Sequence, residues 1–238
     1  DEYKSFITEA AETLGGLDIF VHNVSAMVGL DEKGWERSFQ IDMMGAVRGV
    51  EAAQPFLEKS QAGSVIFIGT TAALENFGPP NSYSALKAAL LAYTNDLGQA
   101  LAREGVRVNT VSPGSIYFEG GAWDRVEKNM PDYFEQVRKS IPFGRFGKPD
   151  EVARVVAFIA SPAAGWVTGT NIIVDGGQAG SVVTVIGHFD DDIEVAVENM
   201  TITNGTGENG GGIYVEEAGS EVTVNLNQLV LLGNTATA

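Results

Sequence analysis

The chain has 238 residues, 15 of them basic and 31 acidic, a formal charge of −16 and no cysteine. That length, with 44% hydrophobic residues, suffices for one large α/β domain or two small ones. The missing cysteines exclude disulfides, thiolate nucleophiles and zinc-thiolate sites, and two isolated histidines offer little to a metal ion. The acidic excess disfavours nucleic acid and anionic membrane surfaces as partners.

No apolar run approaches the length of a membrane span, and the opening Asp1-Glu2-Tyr3-Lys4 reads as amphipathic helix rather than a signal peptide. The charge is unevenly placed. Residues 179–238 hold nine acidic residues and no Lys or Arg, leaving 15 basic and 22 acidic residues in the first 178. All eight prolines and all three tryptophans also fall in that first part, so a domain boundary is expected near Gly176-Gly177-Gln178.

Apolar spacing predicts a helix over 3–14, ended by Gly15-Gly16, and a strand at Ile19-Phe20-Val21. Helical patterns follow at 35–57, 83–103 and 149–159, and strand-like runs at 65–68, 106–111 and 172–174. Short β-rich runs separated by helices predict βαβ units on a parallel sheet.

Within this frame Tyr83-Ser84-Ala85-Leu86-Lys87 carries chemistry. Four residues is about one helical turn, so phenol and ammonium share a face, and a nearby cation favours phenolate. Thr70 lies thirteen residues earlier, at the end of a strand, where its hydroxyl could hold a substrate oxygen. On spacing alone the pair is weak evidence, because surface helices often present one by chance. His22, at the end of an apolar strand, reads as a hydrogen-bonded core or crevice residue rather than a catalyst.

Five segments in order resemble the short-chain dehydrogenase/reductase family over residues 1–178: Leu17 to Asn23, Gly63 to Thr70, Arg107 to Gly114, Gly144 to Ala153 and Val167 to Gly177. The resemblance implies a partial Rossmann-type parallel sheet with helices, and interconversion of a small-molecule alcohol and ketone with NAD or NADP. It makes Tyr83 the general acid/base, Lys87 its tuning partner and nicotinamide-ribose ligand, and Thr70 the residue that orients the substrate. Asp42 takes the place of an asparagine that props the lysine, although capping or salt-bridging a helix is an equal reading of that residue. Asn23 and the Pro113-Gly114-Ser115-Ile116 turn would contact the cofactor, while Phe118 replaces the family's usual threonine. The aromatic stretch Tyr117 to Trp123 falls at the family's mobile substrate loop.

By the same comparison the family's Gly-rich phosphate-binding turn and first three strands are missing before Asp1, so impaired cofactor binding is expected. The helices carrying Asp42 and Tyr83 usually pack against a partner subunit, which implies a homo-oligomer. A cytoplasmic location follows for this part.

After Gly177 the sequence turns to short β-rich pieces: 182–186, 193–197, 200–204, 212–215, 222–224 and 229–232. Residues 197–205 and 226–234 align at a period of 29, which suggests stacked coils. Residues 179–238 resemble right-handed parallel β-helix proteins of the pectin-lyase and adhesin type, so an all-β, partial β-solenoid segment is expected, of secreted or cell-surface origin. Ordinary hairpins remain open for this segment. The competing functional expectation is a catalytically silent structural or adhesive solenoid fusion.

Overall fold

Two glycines decide where the first helix stops. In a computed structural model, which describes residues 2–27, 29–76, 78–178, 193–198, 201–203, 206–207, 222–227, 230–232 and 235–236, α1 spans Glu2–Leu14. Gly15 and Gly16 follow it at positive φ, and their N–H groups donate to the Glu12 and Ala11 carbonyls. The chain then enters β1 (Ile19–His22), α2 (Glu32–Ser38) and α3 (Met44–Leu57). The last two are joined by a π turn at Phe39–Met43.

The helix expected over 35–57 is therefore interrupted. The π turn adds a residue to one turn, and that offset brings Asp42 to a buried position, 2% exposed.

Next come β2 (Ser64–Ile68), a 3₁₀ turn (Thr71–Ala73), α4 (Ser82–Leu101) and β3 (Arg107–Pro113). Two helices not expected from the sequence, α5 (Ala122–Asn129) and α6 (Pro131–Ser140), precede α7 (Pro149–Ala160) and β4 (Asn171–Val174). The four strands form one sheet in the order β1-β2-β3-β4, all parallel, with Ile19 opposite Ser64, Ser64 opposite Arg107 and Thr110 opposite Asn171.

Alternation along β2 splits the core. Val65 and Phe67 pack with Ile7, Val50, Leu57 and Leu90, on the side of α1, α3 and α4. Ile66 faces the other way, onto Val111, Ile159 and Ala160, with Val152, Val155 and Val156 of α7 beside them. Burial on both faces explains why β2 reads as a continuous apolar run. A third cluster joins Phe134, Ile141 and Phe146 to Tyr117 and Trp123, holding α5 and α6 together.

Arg107 ties the two ends of the second face. Its guanidinium donates to the carbonyls of Ile159 (2.8 Å), Ala160 (3.2 Å) and Ser161 (3.2 Å), which close the C-terminus of α7. Parallel strands need crossover connections, and α3, α4 and α7 supply the helices that pack on the sheet here.

The chain divides into two compact units, Asp1–Ala179 and Gly180–Ala238. In the second, β5 (Ile193–Glu198) pairs in parallel with β8 (Val222–Asn227). Likewise β6 (Thr201–Thr203) pairs with β9 (Val230–Leu232), and β7 (Thr206–Gly207) with β10 (Thr235–Ala236). The expected strands at 182–186 and 212–215 lie outside the described residues.

Candidate active site

Every strand of the first sheet runs the same way, so the C-terminal ends of β1, β2 and β3 gather at one edge. Asn23, Thr70 and Gly114 follow those three ends, and the start of α4 brings Tyr83 and Lys87 to the same edge.

The start of α4 is well fixed. Asn81 is its N-cap, with Oδ1 accepting from the Ser84 N–H at 2.9 Å. Buried Ser82 accepts from the Gly29 N–H at 2.9 Å and shares a 2.8 Å hydrogen bond with Ser38, tying the loop after β1 and the end of α2 to this turn. Tyr83 and Lys87 follow one helical turn apart.

Lys87 is 3% exposed. Its Nζ donates to the Ile68 carbonyl at 2.7 Å and stands 3.6 Å from Asp42 Oδ1. Asp42 Oδ2 accepts from the Ala26 N–H at 2.9 Å, while Oδ1 has no hydrogen-bond partner. Asp42 thus forms a salt bridge with Lys87 of α4, as one reading expected, caps no described helix, and also fixes the loop after β1.

Burial pulls the Lys87 ammonium below its ordinary range, and Asp42 opposes that fall. Burial pushes the Tyr83 phenol up; a side-chain hydrogen bond with Thr70 works against the rise and the Asp42 charge adds to it. Thr70 caps the 3₁₀ turn, its Oγ1 accepting from the Ala72 N–H at 3.2 Å, and its own hydroxyl proton is directed at the Tyr83 oxygen.

The residues expected to contact the cofactor follow the ends of β1 and β3. Asn23 is exposed just beyond β1, and Pro113 ends β3. The Gly114 N–H donates to the Val174 carbonyl at 3.0 Å, and a Cβ there would lie 2.5 Å from Asp175 Cβ, so only glycine allows β3 and β4 to close this far. Ile116 bridges to Gly147, and Phe118 is 52% exposed. A half-buried phenol, a buried ammonium one turn on and an open strand end with Asn23 beside it fit the nicotinamide-ribose end of a dinucleotide.

Sequence reasoning missed two participants. The Ile68 carbonyl is backbone and carries no residue signal. His22 was expected to be hydrogen-bonded, yet it is 2% exposed and neither ring nitrogen has a partner. Burial and the Lys87 charge hold its imidazole below the ordinary range, and Asp42 opposes them.

Comparisons with known proteins identify the family of the first unit. The enoyl-(acyl carrier protein) reductase family model matches residues 1–179. An isoepoxydon dehydrogenase of Penicillium expansum is 41% identical over 179 residues, covering 74% of this chain and 69% of that protein. The 3-oxoacyl-(acyl-carrier-protein) reductase of Thermotoga maritima is 29% identical over 182 residues, 74% of this chain and 72% of its own length. The crystal structure of the TT0495 protein from Thermus thermophilus superposes with a TM-score of 0.68 at 33% identity, covering 75% of this chain and 76% of that one. Over residues 1–179 the chain belongs to the short-chain dehydrogenase/reductase family, whose members are NAD(P)-dependent oxidoreductases.

Proposed function

We propose that residues 1–178 form the chemical centre of an oxidoreductase that interconverts a small alcohol and its ketone. The observation that carries this is the buried Lys87, one turn after Tyr83, anchored on the Ile68 carbonyl and facing Asp42. The names of the two relatives, a dehydrogenase and a reductase, support alcohol and carbonyl chemistry in both directions.

Thr70 turns its hydroxyl proton from the Tyr83 oxygen to the substrate oxygen and holds that oxygen beside the phenol. Tyr83 gives its proton to that oxygen when a carbonyl is reduced and takes one from it when an alcohol is oxidised. Burial and the Asp42 charge favour the protonated phenol, and the Thr70 hydrogen bond opposes them. Lys87 holds its charge next to the phenol and, with Asn23, Pro113, Gly114 and Ile116, would hold the nicotinamide end of NAD or NADP. When bound, that cofactor supplies or accepts the hydride.

Tyr83→Phe removes the only proton this scheme moves at the substrate oxygen. In the full chain, with reduced nicotinamide cofactor and a ketone panel, the substitution is expected to lower turnover by about 10²–10⁴-fold. Unchanged turnover would refute the assignment.

For residues 179–238 we propose a partial parallel β-solenoid. Its support is the register: Ile193 pairs with Val222, Thr201 with Val230 and Thr206 with Thr235, the same 29-residue step three times. Hairpins would pair these strands antiparallel. Hydrogen exchange on the full chain should show β5 and β8 protected together and exposed together by Val195→Pro; independent exchange of the two strands would count against stacking.

A further inference from the structure

One residue of the first unit holds a backbone conformation that its type disfavours. Met27, in the loop after β1, has a φ of 63°, and among the described residues it is the only non-glycine at positive φ. Glycine would take this turn without strain, since what crowds the left-handed region is the Cβ. A strained residue persists where its surroundings over-determine it, and such residues cluster at ligand sites.

Three hydrogen bonds fix the turn. The Ala26 N–H donates to Asp42 Oδ2 at 2.9 Å, the Met27 N–H donates to Ser25 Oγ at 3.0 Å, and the Met27 carbonyl accepts from Ser38 Oγ at 3.3 Å. Two residues on, the Gly29 N–H donates to Ser82 Oγ, which also shares a hydrogen bond with Ser38. These anchors place the residue against the chemistry. Asp42 is the carboxylate that faces Lys87, and Ser82 directly precedes Tyr83 in α4. Met27 therefore stands between one pin on the partner of the ammonium and another beside the phenol.

The side chain does not serve the core. It is 54% exposed and belongs to none of the three apolar clusters. Val24 and Leu30 of the same loop are exposed as well. A single exposed apolar side chain is ordinary, but here three share one loop that is pinned to the catalytic pair. A thioether on an unbranched stem moulds itself to an irregular apolar surface and offers little to a hydroxyl-rich one. From the strain, the pins and the exposure together we infer that Met27 is a specificity-determining residue, packing on a hydrocarbon flank of the carbonyl compound held at Tyr83. The substrate class is then an alkyl or cycloalkyl ketone rather than a polyhydroxylated one. The inference rests on the reading of Tyr83 as the acid/base.

The test uses the full chain, reduced nicotinamide cofactor and two carbonyl compounds of opposite surface, cyclohexanone and dihydroxyacetone. Met27→Gln keeps the length of the side chain but ends it in an amide. It should lower kcat/KM for cyclohexanone about tenfold, through KM, and leave dihydroxyacetone within about twofold of the parent. Met27→Leu stays apolar and should remain close to the parent on both compounds. The two variants carry the same backbone strain, so a difference between them reports the surface offered to the substrate. Equal effects of Met27→Gln on the two compounds, or no effect on either, overturn the inference.

A second measurement needs no turnover and decides the matter if a variant fails to fold or the parent chain is slow. Methionine methyl groups are labelled with ¹³C, and the Met27 signal is identified by its loss in Met27→Leu. Cyclohexanone should shift that signal to saturation in the parent chain and in Tyr83→Phe, while dihydroxyacetone leaves it in place. A Met27 methyl unmoved by cyclohexanone overturns the contact. Unchanged turnover in Tyr83→Phe with the Met27 shift intact would instead reject the acid/base reading and leave the contact standing.

Discussion

Replacing Arg107 by leucine tests what closes the second face of the sheet. The guanidinium is 9% exposed and donates to three successive carbonyls at 2.8, 3.2 and 3.2 Å, with Val167 farther off at 3.5 Å. Ser161 O also accepts from the Ala164 N–H, so the loss falls mainly on Ile159 and Ala160, the carbonyls of the last two residues of α7. At roughly 1–2 kcal/mol for each buried acceptor left unpaired, offset in part by no longer burying a charge, the expected destabilisation is about 3 kcal/mol. For a unit of this size that lowers the urea midpoint by about 1.5 M. Arg107→Lys keeps the charge but cannot reach several carbonyls with one fork, and should recover less than half of the loss. The assay is urea unfolding followed by tryptophan fluorescence, since all three tryptophans lie in residues 1–178. A midpoint for Arg107→Leu within about 0.2 M of the parent would refute the reasoning and show that α7 is closed without the guanidinium.

A methyl group at Gly98 would sit 2.7 Å from the Gly169 Cα and 2.8 Å from its nitrogen, both backbone, so Gly98→Ala must push α4 away from the loop before β4. A loss of about 1–3 kcal/mol in the same urea assay is expected. Glu151 is the α7 capping carboxylate, held by the Lys148 N–H at 2.9 Å and by Arg145 at 2.7 and 2.8 Å, which lowers it from 4.5 to about 2. Because its folded value lies below the unfolded one, its stabilisation is complete above the ordinary glutamate range and disappears as pH falls from there toward 2. Thermal melts of Glu151→Gln should therefore differ from the parent at neutral pH and converge with it in acid; a difference that persists at pH 2 would place the effect elsewhere.

The strands and the long helices were legible because burial follows their period. Residues 65–68 read as a strand through apolar character alone, being enclosed on both faces, and α7 shows apolar residues in helical spacing along Val152, Val155 and Val156. Helices α5 and α6 were not legible. In Ala122–Asn129 only three of eight residues are apolar, and Trp123 and Val126 find their partners in Phe134 and Phe146, distant in sequence. The π turn was invisible for another reason: one added residue shifts the phase of a helical pattern without erasing it. At the site, Tyr83, Lys87, Thr70 and Asp42 could be located from motifs. What could not be read was the state of His22, because hydrogen-bond satisfaction is a property of neighbours rather than of residue type.

The uniform direction of β1 to β4 gives the first unit two unequal rims. The residues assigned here to chemistry follow the strand ends on one of them, at Asn23, Thr70 and Gly114. The opposite rim consists of the turns at 15–18, 58–63 and 102–106 and the segment 161–170, which deliver the chain into its strands. Insertions, labels or immobilisation tethers at the first two of these turns would burden the framework without entering the site. The last segment is poor ground, because Ser161 and Val167 accept from Arg107 there and Gly169 presses on α4. For anyone attaching a reporter to this protein, residues 58–63 are the place to begin.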